Sequence, residues 1–310
     1  MHVVLHIGLP KTGTTYLQEW LKLNSDKLRQ SGVAVLSSVA AHRLAAASLM
    51  DSPLSSRADV VAIERDCTLP QAAKEVQDCL GHVTVISSEY FFHCDPSDVR
   101  ATMEALGASV SKIICYLRRQ DRVCASGYAQ EVKALGLAKR VADYGEVSYE
   151  PLLDWNRLYE KWETAFPCAT VTFENFESCV ANGTLVETFR ASIGAAEVET
   201  FDLPERVNES LSAHLTEFAR MLNEKRTAYD LDRLMDIQSR TKLPPFAFDQ
   251  TTTRMFETIY LATNQLLTKR FPLKFDEYCI SGWRPDGIDM TDRLGPEQQA
   301  DILFHYVSRD

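Results

Sequence analysis

His2-Val3-Val4-Leu5-His6-Ile7-Gly8 runs directly into Leu9-Pro10-Lys11-Thr12-Gly13 and then into Thr14-Thr15-Tyr16-Leu17-Gln18-Glu19-Trp20-Leu21. Residues 2–8 form an apolar run interrupted by His6, the pattern of a parallel strand buried on both faces. The turn that follows is rich in Gly and Pro, and a helix is predicted to begin near Thr14. Leu17, Trp20, Leu21 and Leu28 supply the apolar stripe of that helix, and Gly32 lies past its end. A buried strand feeding an amphipathic helix through a glycine turn is the opening unit of an α/β sheet.

The unit recurs along the chain. Val33–Leu36, Val83–Ser87, Lys112–Leu117 and Ala169–Phe173 read as further short apolar strands. Helices are predicted between them, around Arg43–Met50, over 71–80, from Asp95-Pro96, from Arg122 to about Leu135, and over Leu152–Phe166. Asp95 has the chemistry of an N-cap and Pro96 that of a first helical residue, and Gly136 fits a C-terminal cap. The Ser-rich stretch 51–59 reads as an exposed loop. Strand and helix alternate over residues 2–175, which argues for a three-layer α/β core, a parallel sheet covered by helices on both faces. Beyond residue 205 the pattern is mostly helical, notably over 208–228, 251–270 and 296–306. The expectation is one domain over 1–310, with a nucleotide-binding core over 1–195 and a helical cap over 205–310.

Composition narrows the class. The 310 residues are 45% hydrophobic and 25% charged, enough apolar matter for a full core. No stretch approaches the roughly 18 apolar residues of a spanning helix, and the N-terminus lacks a basic flank and long apolar run. Membrane insertion is therefore not expected, and a cytoplasmic location is. The eight cysteines are scattered without a CxxC pair, as buried reduced thiols are. Neither zinc-ligand spacing nor a Cys/His nucleophile signature is present, so no metal is expected. With a formal net charge of −10, nucleic acid is not an expected partner. An anionic ligand needs a local cluster of donors. Oligomeric state leaves no mark in the sequence.

The turn after the first strand is such a cluster. A Gly-rich loop between strand and helix aims backbone N–H groups and a helix N-terminus at one spot, which suits phosphate or sulfate. Lys11 adds a positive charge, and Thr12, Thr14 and Thr15 add hydroxyls. A nucleotide-triphosphate loop reads GxxxxGK followed by Ser or Thr. Gly8 and Gly13 have that separation, but Thr14 stands where the Lys belongs and the Lys is at 11. Pro10-Lys11-Thr12-Gly13-Thr14-Thr15-Tyr16-Leu17 instead resembles the 5′-phosphosulfate loop of the sulfotransferases that use PAPS (3′-phosphoadenosine-5′-phosphosulfate), written PKxGTTxL. It matches at every fixed position. The resemblance implies a P-loop NTPase-like fold, Lys11 on the phosphosulfate bridge, and Thr12, Gly13, Thr14 and Thr15 around the 5′-phosphate.

A second cluster is Tyr116-Leu117-Arg118-Arg119-Gln120-Asp121-Arg122-Val123-Cys124-Ala125-Ser126. Arginines at the C-terminal end of a parallel strand stand at the usual ligand edge of the sheet. Ser126 falls about 6–8 Å along the following helix at its standard rise. The family's 3′-phosphate motif resembles this stretch in having an Arg and, eight residues later, a Ser. Arg118 and Ser126 have that spacing, which implies that they anchor the 3′-phosphate. Arg119-Gln120 departs from the Asn-Pro of many cytosolic members, and Arg119 and Arg122 divide evenly between a role and solvated surface charge. Val171–Phe176 resembles a family strand ending in Tyr-Glu-Asp and reads as structural. The resemblance covers about residues 2–195. In the last third, Ser239-Arg240-Thr241-Lys242 and Gly282-Trp283-Arg284 are candidate donors that read first as surface charge.

Proton transfer needs a base at the same sheet edge. Ser87-Ser88-Glu89 ends the third predicted strand, where relatives carry a His or, in carbohydrate-modifying branches, a Glu. Glu89 is the candidate base, His42 and His93 are its competitors, and a helix-cap or salt-bridge role is the plain reading of Glu89. The expected activity is sulfuryl transfer from PAPS to a hydroxyl acceptor, small-molecule or glycan, with PAP as product and no metal required. The rival readings are a nucleoside or sugar kinase and a non-catalytic PAP-binding protein.

Overall fold

The computed structural model describes residues 2–49, 58–79, 81–141, 153–198, 201–205, 211–241, 246–279, 288–289, 302 and 306. The chain divides into two compact units, Met1–Arg118 with Asn156–Val207, and Arg119–Trp155 with Asn208–Asp310.

The first unit is an α/β layer structure. Its sheet holds β1 (His2–Ile7), β2 (Val33–Val35), β3 (Val83–Ser88), β4 (Ser109–Leu117) and β5 (Thr170–Asn175) in the order β2-β3-β1-β4-β5. All four pairings are parallel. The connection from β1 leads to one side of the sheet and that from β4 to the other. The chain therefore switches direction between β1 and β4, the position where parallel sheets open a crevice at their carboxyl ends.

Helix α1 (Thr14–Leu23) packs onto the sheet through Leu17, Trp20 and Leu21, spaced at one helical face. They join Val4, Val85, Ile114 and Tyr116 of the strands and Phe189 and Ile193 in one core. The predicted single helix to Leu28 is broken in the structure. Asn24, fully buried, ends α1, and α2 (Ser25–Gln30) starts afresh. The Asn24 side-chain amide donates to the carbonyls of Trp20 and Asp202, and its oxygen accepts from Asp202 N–H, each at 2.9 Å. A local turn and a distant segment are thus tied by one side chain.

Helices α3 (Ser38–Ala47), α4 (Ala58–Asp66), α5 (Leu69–Asp78) and α6 (Pro96–Ala105) complete this half. Ser37 caps α3, and Thr68 with Gln71 forms a capping box on α5. Asp95 caps α6 with Pro96 at its first position, as the sequence predicts. The helix expected at Arg43–Met50 starts earlier, because Ser37 supplies the cap. The loop expected over 51–59 falls mostly outside the described residues, and its last two positions open α4.

In the second unit, α7 (Gln120–Leu135) ends on Gly136 in the left-handed conformation (φ 68°). Helix α8 (Trp155–Ala165) begins at the boundary and lies mostly in the first unit, which α9 (Phe176–Ala181) and α10 (Leu185–Ser192) complete. Helices α11 (Ala213–Glu224), α12 (Leu231–Thr241) and α13 (Gln250–Arg270) follow in the second unit, with a short parallel pair, β6 (Phe246–Ala247) and β7 (Ile288–Asp289). A buried amide pair, Gln120 to Asn264 at 2.8 Å, joins α7 to α13. The helix expected at 296–306 lies almost wholly outside the described residues, and α12 and the β6–β7 pair were not foreseen. Among the described residues, no helix is long and apolar enough to cross a membrane.

Candidate active site

Strand register sets the geometry. In β1–β3, Ile7 stands beside Ser88, so the β1 turn starts level with the end of β3, and Gly8 N–H donates to Ser88 O at 3.2 Å. In β1–β4, His6 stands beside Ile114, so β4 runs on past the end of β1. Leu117 is therefore level with the turn, and Arg118 stands over it.

The turn is compact and self-bonded. Thr12 is fully buried and its hydroxyl donates to Leu9 O at 2.7 Å, while the Thr14 hydroxyl reaches the same carbonyl at 3.4 Å. Both hydroxyls are committed within the loop. Lys11 and Gly13 have positive φ, 67° and 73°, which turns the chain back over the sheet. At Lys11 this is uncommon for a residue with a side chain. Gly8 must be glycine: a Cβ there would lie 2.5 Å from Thr14 Oγ1 and 2.6 Å from its Cγ2. Helix α1 has Gly13 as its N-cap and so no side-chain cap. Its first N–H groups, with the exposed Thr15, stand at the loop mouth.

Arg118 is seated on this loop. Its Nη1 donates to Lys11 O at 3.1 Å, its Nε to Glu177 Oε1 at 3.2 Å, and its guanidinium lies 5.6 Å from the centre of the Phe176 ring. Phe176 and Glu177 follow β5, whose Asn175 pairs with Leu117. Sequence reasoning missed Glu177. The signal for it was positional: a carboxylate just past the strand that neighbours the one carrying Arg118. Ser126 is half-buried on α7 and belongs to the second unit, whereas Arg118 closes the first. Arg119, placed between a role and solvated charge, is buried and forms a two-pronged pair with Asp121, at 3.2 and 2.9 Å. Arg122 is half-buried. Arg240 pairs with Asp236 on the surface of α12, while Lys242 and Gly282-Trp283-Arg284 lie outside the described residues.

Glu89 opens a short 3₁₀ turn, Glu89–His93, at the end of β3. Gln18 of α1 donates from its amide nitrogen to Glu89 Oε2 at 3.1 Å and to Ser87 O at 3.2 Å. The loop helix and the carboxylate are thereby joined. Gln18, four residues after Thr14, was missed as a functional candidate; the one-turn spacing from the loop was its signal. His42 of α3 is hydrogen-bonded through Nδ1 to Ser88 Oγ at 2.8 Å, and that hydroxyl also accepts from Tyr90 N–H. Burial lowers the His42 pKa, and the nearby Glu89 charge opposes the shift. His93 lies in the same 3₁₀ turn, edge-on to Phe92. His6, deeper in β1, bonds Ser87 Oγ at 2.8 Å, and complete burial lowers its pKa to about 3. The structure thus brings Lys11, Thr12, Gly13, Thr14, Thr15, Glu89 and Arg118 to one sheet edge, with His42 beside Glu89. Among the described residues, no three His, Cys, Asp or Glu side chains gather as a metal-ligand group.

No protein-family model matches this chain. An uncharacterized protein of Archaeoglobus fulgidus is 29% identical over 150 residues, covering 48% of this chain and 40% of that protein. The match therefore spans well under half of the relative's length. Among solved structures, a sulfotransferase from Alicyclobacillus acidocaldarius aligns with a TM-score of 0.39 and 15% identity, over 75% of this chain and 98% of that one.

Proposed function

We propose that this chain is a PAPS-dependent sulfotransferase that moves a sulfuryl group to a hydroxyl acceptor, a carbohydrate hydroxyl in particular. The observation that carries the reading is the Pro10–Leu17 loop. Its uncapped helix start, Lys11 and the overlying Arg118 meet at the switch point of the sheet, with the Glu89 carboxylate just past the end of the neighbouring strand β3. Amides of Gly13, Thr14 and Thr15 and the Thr15 hydroxyl hold the 5′-phosphate, and Thr12 and Thr14 hold the loop in shape through Leu9 O. Arg118 holds the 3′-phosphate. Lys11 stabilises charge growing on the leaving phosphate oxygen as the sulfur is transferred in line. Glu89 takes the proton of the attacking hydroxyl. Binding energy from the 3′-phosphate, remote from the sulfur, serves to position the reacting group. None of these roles calls on a metal. The eight cysteines are free thiols, six of them buried, which suits a reducing cytoplasm.

The test is ligand choice. PAP should raise the melting temperature without divalent metal, and ATP with Mg²⁺ should do so much less. Equal or greater stabilisation by Mg-ATP would replace the reading with a kinase. PAP binding without product across an acceptor panel would replace it with a non-catalytic PAP-binding protein.

A further inference from the structure

Gln18 has a second neighbour besides Glu89. A cleft of about 430 Å³ opens in the first unit between α1 and the turn from β2 into α3, and Gln18 and Ser87 form part of its wall. That volume falls within the roughly 300–1,000 Å³ of small-molecule sites.

The hydrogen-bond inventory of the wall decides what fits. Both partners of the Gln18 amide nitrogen, a main-chain carbonyl and a carboxylate, are acceptors, so the nitrogen faces them and both of its protons are spent. The Gln18 carbonyl oxygen is left as an acceptor, so a group meeting it must bring a proton. Ser25 and Ser38 add hydroxyls to the wall. Its charged residues, Glu19, Glu75 and Lys22, leave the wall net negative. Lys22, the one cation among the lining residues, stands 3.9 Å from Glu19, and both oxygens of Glu75 are taken by Ser37 through its N–H and its hydroxyl. Among the described lining residues, an anion entering here meets two carboxylates against a single lysine. Leu21, Leu36 and Val39 offer apolar surface to C–H groups.

We propose that this cleft takes a neutral polyhydroxyl molecule, a small sugar or cyclitol, and that it is the acceptor subsite of the transfer. The occupancy stands on the cleft itself; its part in catalysis rests on the sulfotransferase reading. One ligand hydroxyl lies at the Gln18 end, beside Glu89. Its oxygen forms the new bond to sulfur, the bond from sulfur to the phosphate oxygen breaks with its electron pair going to PAP, and the proton passes to Glu89. Gln18 selects the ligand by accepting a hydrogen bond from a hydroxyl next to the reacting one, whose own proton stays directed at Glu89, and the acidic wall excludes uronic acids and sugars already sulfated.

Saturation-transfer NMR on the full chain, without donor, tests the occupancy with myo-inositol, maltose and glucuronate as probes. Binding of at least one neutral probe is expected, with glucuronate at least tenfold weaker. Val39 is 47% exposed at the cleft, so Val39→Arg leaves the core intact while laying a long side chain across the opening. This variant should weaken the neutral probe at least tenfold and leave the PAP melting shift unchanged, and Gln18→Leu should weaken the same probe. Failure of both neutral probes to bind the parent, glucuronate binding as tightly as they do, or a Val39→Arg protein that binds them undiminished would each overturn the proposal. Loss of the PAP shift in the parent chain would instead sink the sulfotransferase reading and leave the cleft result standing.

Discussion

Arg118 Nη1 and the main-chain carbonyl of Lys11 are 3.1 Å apart, so a side chain from the end of β4 holds the one loop residue that carries both a positive φ and a cationic side chain. Removing that guanidinium leaves the carbonyl and Glu177 without this donor.

Arg118→Ala should therefore lose affinity for PAP and lose most discrimination between PAP and AMP. A charge-assisted contact contributes about 1.5–3 kcal/mol, roughly ten- to a hundredfold in binding. Calorimetric titration of both nucleotides checks this. A variant that still preferred PAP as strongly as the parent would show that Arg118 shapes the loop without touching the 3′-phosphate. Arg118→Lys should recover little, because an ammonium cannot span Lys11 O and Glu177 together as the forked guanidinium does.

Gly8→Ala should destabilise the first unit through overpacking against Thr14, by about 1–3 kcal/mol. Thr14→Ala added to it removes the two closest atoms, Oγ1 and Cγ2, and should return part of the loss. Urea unfolding of the four members of this cycle measures the coupling. Simple additivity would mean that the clash relaxes elsewhere.

Glu89→Gln keeps the shape of the side chain and removes its basicity. Turnover should fall by about 10²–10⁴, the usual span for general-base catalysis, with PAP binding little changed. His42→Ala and His93→Ala belong in the same series. Near-parental turnover in Glu89→Gln, alongside a folded but inactive histidine variant, would transfer the role to that histidine. An unfolded Glu89→Gln would make the Gln18 contact structural.

His6 gives the fold an acid-sensitive limb. Its folded pKa, about 3, lies below the 6.5 of the unfolded chain because burial penalises the charged ring. Below pH 6.5 the unfolded state takes up a proton that the folded state refuses, so stability is full above 6.5 and falls as pH drops towards 3. For one proton the loss between pH 7 and pH 5 is about 2 kcal/mol. His42 and His214, also lowered by burial, add to the same limb. His6→Asn retains an amide for Ser87 Oγ and should flatten the limb by close to one proton in chemical denaturation at the two pH values. An unchanged slope would show that the ring is protonated in the folded chain.

What was legible in the sequence was what is encoded locally. Pro10–Leu17 announces its turn through its own glycines and threonines, and Asp95-Pro96 announces a helix start by cap chemistry alone. The break at Asn24 was hidden because its cause, Asp202, lies far along the chain. Glu177 and Gln18 reach Arg118 and Glu89 only once the strands are in register, so the positional signal of each acquires its meaning only in the fold. Phe246-Ala247 is too short to carry an alternating pattern, and becomes a strand because Ile288-Asp289 pairs with it.

The discontinuity of the first unit has a consequence for synthesis. Val4, Leu17 and Trp20 leave the ribosome well before the residues that cover them, because Phe189, Ile193 and the Asp202 clasp on Asn24 emerge only after the whole 119–155 excursion has been made. At roughly 5–20 residues per second this leaves that apolar face of the nascent chain unsheltered for on the order of ten seconds. The loop built on β1 and α1 is thus translated long before the residues that lock it, and nascent chains halted before residue 189 should be good clients for chaperones that bind exposed apolar surface.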